Sequence, residues 1–294
     1  IFLCAGCGGL LYLFLNSLFG HQIALLATAL FIVHPFGTYT VGWISGIGYL
    51  VGLLFTLIGL NTVLMTQAWT TPLGVVLSVI IFGSFQFLAV QAQFATIGTT
   101  AVLAILGYWP HAVVSSLLTL SYCTPVIKDA LVLRTKVFNE QAMGQSTTIY
   151  PKKLYVVFKT FAYYLKITFF PKRMGLYHTF GYHYELPDIE SSDKHFWWGV
   201  AATALFVFLV IVAPMPIKLG LVWFISFLFI YLNWITINQF VTERYAWIPT
   251  AGACLLVSYL TCQYNLIYLW CVIFGIALMR TWSHLPAFYD LEKF

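Results

Sequence analysis

Charge is the scarcest property of this sequence. Lys and Arg number 14 and Asp and Glu 9 among 294 residues, 8% in all, whereas a soluble domain carries roughly a quarter charged residues. A water-facing surface cannot be covered with that. Hydrophobic residues make up 61%, in runs far longer than the ~10-residue alternating strands of a membrane barrel. Lipid offers the backbone no hydrogen-bond partners, so a helix is the spanning element that remains. The expected class is all-α, a polytopic transmembrane helical protein. No glycine-rich phosphate loop, nucleophile elbow or His-Glu-x-x-His pattern is present. The basic residues adjoin apolar runs instead of forming a soluble module, which argues against nucleic acid as a partner. The six cysteines fall nearly all inside apolar runs, where a thiol behaves as a small hydrophobe. Cys4 and Cys7 have the C-x-x-C spacing, a redox signal beside a strand in a soluble protein but a packing feature inside a lipid-embedded helix.

A bilayer core of about 30 Å takes ~20 apolar residues per helix. Cut with that ruler, the sequence yields about ten expected spans: residues 1–19, 22–33, 43–65, 73–90, 96–108, 112–133, 196–213, 217–240, 246–262 and 266–279. The chain opens at Ile1 inside an apolar run, so it is expected to be a piece of a longer protein, with a continuation after Phe294 also expected. The whole is read as a single transmembrane domain, 1–294, with N-terminal helices over 1–133, a polar segment over 134–195, C-terminal helices over 196–280 and the start of an extension at 281–294.

The polar segment holds most of the charge. Lys152 to Phe170 reads KKLYVVFKTFAYYLKITFF, with Lys152, Lys153, Lys159 and Lys166 among aromatics and no acid. That pattern predicts one amphipathic helix lying in the membrane interface, its lysines reaching toward lipid phosphates. Lys128, Arg134, Lys136, those four lysines, Lys172 and Arg173 supply nine of the fourteen basic residues. Two readings stand: the positive-inside rule, which puts this segment in the cytoplasm, and a basic platform for an anionic lipid or phosphate.

Ionisable groups at membrane depth are costly unless paired or wet, so each is a functional candidate. The clearest are Glu243, Arg244 and Tyr245 in NQFVTERYAWIPTAG. Adjacent residues on a helix point about 100° apart, so Glu243 and Arg244 can serve different partners, and Arg suits a phosphate through two parallel hydrogen bonds. An ion pair tying two loops together is the structural alternative. His34-Pro35 ends a short apolar run ahead of the Gly- and Thr-rich FGTYTVGWISGIG, which suits a cavity mouth or, more simply, an interfacial cap. The loop 171–195 contains His178, His183, Glu185, Asp188, Glu190, Asp193 and His195. No zinc or calcium spacing is found there, so neither metal nor cofactor is expected.

Three segments in order resemble one family. They are LLATALFIVHPFGTYTVGWISGIGYLVGLLF (25–55), YYLKITFFPKRMGLYHTF (163–180) and VTERYAWIPTAGACLL (241–256), with a weaker fourth, RTWSHLPAFYDLEKF (280–294). Together they resemble the polytopic glycosyltransferases of the C-type fold, and within them the transmembrane and tetratricopeptide-repeat O-mannosyltransferase-like proteins. The resemblance implies transfer of a sugar from a polyprenyl-phosphate donor to an acceptor hydroxyl, on a protein or glycan, at the extracytoplasmic face of a bacterial inner membrane or the endoplasmic reticulum. It implies that Arg244, Lys166, Lys172 and Arg173 bind the donor phosphate, and that His34, Tyr177, Glu243 and Tyr245 line the cavity. It places the basic segment Lys152–Arg173 on the active-site, extracytoplasmic side, against the positive-inside reading. The catalytic carboxylate is expected on a loop before Ile1. Gln91 and Gln93 stand where the family often has charge, and Thr242, Ala246 and Trp247 replace the common Ala, Leu and Tyr. These departures keep open a non-catalytic membrane subunit that uses the same scaffold to pack against partner subunits. A transporter ranks last, because no paired halves with broken helices are visible.

Overall fold

The computed structural model describes residues 2–42, 46–67, 71–92, 94–141, 152–170, 194–232, 234 and 242–284. Among the described residues the chain is helical and has no strand. Among the described residues five helices are long and apolar enough to cross a membrane. They are α1 (Phe2–Phe19), α4 (Ile47–Thr66), α5 (Pro72–Ala92), α9 (Lys194–Val212) and α11 (Glu243–Gln263). Of the about ten expected spans, five are thus matched by a helix long and apolar enough to cross; at others lie the apolar helices α2 (His21–Val33), α6 (Thr99–Ile105), α10 (Met215–Leu228) and α12 (Ile267–His284), which fall short of that measure. The expected span 112–133 lies inside α7 (Trp109–Gln141), a helix of 33 residues. At 1.5 Å per residue that is roughly 50 Å, longer than a bilayer core, and its second half carries Lys128, Asp129, Arg134 and Lys136.

The described turns are short. Gly20, at φ +85°, reverses the chain between α1 and α2, a conformation that glycine adopts without a Cβ penalty. α1 packs on α2 and α4, α4 on α5, and α5 on α7; α10 lies along α11, which also meets α2. The α10–α11 crossing is set by two glycines, since a Cβ on Gly252 would collide with the Gly220 carbonyl and one on Gly220 with Leu256. With the backbones that close, Trp223 Nε1 donates to the Ile248 carbonyl at 2.9 Å. The core runs through Phe14, Phe31, Leu53, Leu57, Phe224, Phe227 and Trp247, all buried.

Helix α8 (Lys152–Phe169) has the expected apolar stripe, and protein covers it. Val157, Phe161, Tyr164 and Ile167 are buried, the helix packs on α9 and α11, and Phe161 meets Phe206 edge-on with ring centroids 5.4 Å apart. Leu154, Phe169 and Phe170 stay exposed.

Candidate functional site

The described parts of the three resembling segments meet at one end of the bundle, around the start of α11. Thr242 precedes the helix in extended conformation, φ −147° and ψ 142°. Its backbone N–H donates to Tyr164 Oη on α8 at 3.4 Å, and its carbonyl accepts from the Tyr245 N–H at 3.1 Å. These bonds fix the first turn of α11, the one that carries Arg244.

Tyr245 is buried, its ring stacked on Tyr231 at 4.1 Å with 6° between the planes. Tyr231 ends a short 3₁₀ turn (Phe229–Tyr231) after α10 and is hydrogen-bonded to Tyr49 of α4. Tyr49 in turn lies 6.3 Å from Tyr245. Against this wall the half-buried Arg244 sets its guanidinium carbon 5.4 Å from the centre of the Tyr245 ring. A cation over an aromatic face gains about 0.5–2 kcal/mol, the upper part when desolvated, and the stacked rings behind resist its displacement.

His34 is buried in the turn between α2 and the short helix α3 (Phe36–Gly42). Its Nε2 lies 3.1 Å from the Thr168 carbonyl, and its Nδ1 accepts the Phe36 N–H at 3.3 Å. A carbonyl only accepts, so Nε2 carries the proton, and the ring sits neutral with both nitrogens engaged. His34 therefore ties the first segment to the second. Phe31 and Trp247, ring centroids 5.1 Å apart, tie the first to the third, and Thr281 Oγ1 joins α12 to the same end by donating to the Val33 carbonyl at 2.6 Å.

Lys166 is exposed, its ammonium 5.8 Å from the centre of the Tyr163 ring. At about 100° per residue it lies roughly 160° round α8 from both Tyr164 and Thr168, so it looks away from the face that meets α11. Lys172, Arg173 and Tyr177 lie outside the described residues, as do the Glu243 side chain and the loop residues of 171–193. Among the described residues no group of three or more His, Cys, Asp or Glu is placed to hold a metal. Cys4 and Cys7 are both free thiols, and Cys7 Sγ donates to the Leu50 carbonyl at 3.4 Å.

Tyr231 and Tyr49 escaped the sequence reading because both sit in apolar runs. The available signal was chemical: a tyrosine placed in a span needs a partner for its hydroxyl. No family model, curated protein or solved structure matches this chain.

Proposed function

We propose that the chain is the membrane portion of a glycosyltransferase of the C-type fold, transferring a sugar from a polyprenyl-phosphate donor to an acceptor hydroxyl. In this reading the ten apolar segments are spans of an integral membrane protein, and α8 lies near the extracytoplasmic interface. Arg244 grips the donor phosphate on its aromatic backing. Tyr245 and Glu243 border the donor, with Tyr177 beside the acceptor path. Lys166, Lys172 and Arg173 draw the anionic headgroup toward that end, a longer-range role that fits the outward position of Lys166.

The observation that supports this reading is convergence. Segments more than 60 residues apart, each resembling the family, are joined by the His34–Thr168 and Thr242–Tyr164 hydrogen bonds and the Phe31–Trp247 contact. Together they frame the Arg244 guanidinium.

The test is sugar transfer from a polyprenyl-phosphate-sugar donor in membranes containing the full-length protein. Arg244→Ala is expected to abolish transfer. Arg244→Lys should retain a small fraction, because a lysine keeps the charge but loses the two-pronged grip. Full activity in Arg244→Ala would remove Arg244 from the donor site. Absence of transfer in the unaltered protein, properly folded, would leave the scaffold subunit as the reading.

A further inference from the structure

A second set of buried polar groups lies remote from Arg244, at the opposite end of the bundle. His111, near the start of α7, is only 7% exposed, with Nε2 2.9 Å from Ser78 Oγ of α5. Ser78 is bonded to Thr66 Oγ1 of α4, which itself donates to carbonyls of its own helix, Thr62 at 2.8 Å and Val63 at 3.3 Å. The single proton of Thr66 is thereby spent within α4. Ser78 then donates to Thr66, and the His111 Nε2–H donates to Ser78. This leaves Nδ1 as an acceptor, and it is buried with no hydrogen-bond partner.

Beyond Phe82, which is buried edge-on against the His111 ring with centroids 5.6 Å apart, further polar groups lie along the seam between α5, α6 and α7. One turn beyond His111, Ser115 Oγ accepts from Thr100 Oγ1 of α6 at 2.8 Å. One turn further stands Thr119, 1% exposed, its hydroxyl unpartnered. On α5 the residue two turns beyond Ser78 is Gln86, also 1% exposed. Its Nε2 donates to the Thr96 carbonyl at 3.3 Å, while Oε1 has no partner. Gly83 faces Val114 and Leu118, a register that sets Gln86 level with Thr119.

Unmet buried polar atoms are costly, and most costly in lipid, where no solvent reaches them. Thr28, Thr56 and Ser258 are single hydroxyls on three separate helices. Here, by contrast, an imidazole, a carboxamide and a hydroxyl lie along one seam, and buried water bridges such groups with two to four hydrogen bonds each. We propose that the seam binds a short file of water, entering beside the exposed Gln67–Tyr108 pair, whose Oη–Oε1 bond of 2.9 Å marks its mouth, and that His111 Nδ1 exchanges protons with that file. Ionisable residues inside membrane bundles that face water-filled cavities mark functional sites, proton relays among them. The inference rests on the helices being membrane-embedded and is independent of sugar transfer.

The experiment is deuterium exchange at the histidine C2 position, read by mass spectrometry on the purified chain in phosphatidylcholine nanodiscs. Exchange at C2 proceeds through the imidazolium and needs water at the ring, so it reads hydration and protonation together. His34 is the internal reference, equally buried but with both nitrogens bonded to protein. His111 is expected to exchange several-fold faster than His34, and Gln86→Leu with Thr119→Val to slow it toward the His34 rate. A His111 as slow as His34 in the unaltered chain overturns the proposal without need of any variant. An unchanged His111 rate in the folded double variant overturns it as well.

Discussion

Arg244 brings a charge to a wall of tyrosines, and the wall decides how far the charge can move. Tyr231 is the middle of that stack, touching Tyr245 face to face and bonded to Tyr49. Tyr231→Phe keeps the stack and loses a hydrogen bond, so it should cost about 1 kcal/mol; Tyr231→Ala should cost about 3–5 kcal/mol through lost burial and a cavity. Thermal unfolding in detergent separates the two, and equal losses would show that the hydroxyl, not the ring, holds the site. His34→Ala leaves the Thr168 carbonyl and the Phe36 N–H unmet, at about 1–3 kcal/mol each. The same unfolding assay should show it lowering the midpoint more than Tyr231→Phe does. His34 was legible as a residue of interest because it closes an apolar run beside a proline. Its use as a strut was not, since its partner is 134 residues away. Lys166 shows the converse: its neighbours in sequence grouped it with the phosphate-binding set, yet direction on a helix is fixed by 100° steps, and that places it outward.

At the scale of elements, composition told apart apolar from polar stretches but not where a helix ends. α7 continues past the expected span because no glycine interrupts it between Trp109 and Gln141, and its one internal proline, Pro125, sits exposed without ending it. α8 was legible as amphipathic from its lysine spacing, while the identity of what covers its apolar stripe needed the fold. The sequence alone cannot say whether such a stripe meets acyl chains or neighbouring helices, because both are equally apolar. Glycines were similarly silent until placed. Gly252→Val should push α10 and α11 apart at a cost of at least 1–3 kcal/mol, read as a lowered unfolding midpoint. Gly275→Ala, on α12 with nothing within 4 Å of the added Cβ, should be neutral or stabilising by up to about 1 kcal/mol. Equal effects at both positions would mean that backbone entropy, not the α10–α11 contact, governs these sites.

The whole molecule has two unlike ends. Lys128, Lys159, Lys166, Lys194, Arg244 and Arg280 are carried on helices toward the end where His34, Thr168 and Thr242 meet, whereas Lys218 lies in the first turn of α10, toward the end marked by His111. The positive-inside rule would put the basic end in the cytoplasm. The transfer reading needs that end outside, and α8 weakens the rule here, since its charges sit on a protein-covered amphipathic helix rather than in a short loop. Lys166→Cys and Tyr268→Cys decide between them, as Lys166 is exposed at the basic end and Tyr268 is 85% exposed beside the turn into α12, at the other. With the native cysteines replaced by serine, a membrane-impermeant maleimide added to sealed membranes with the extracytoplasmic face outward should label position 166, and should reach 268 only after permeabilisation. The opposite pattern would place Arg244 and its tyrosine wall in the cytoplasm. There a polyprenyl-phosphate sugar presented on the outer face could not reach it, and the membrane scaffold would be the reading that survives.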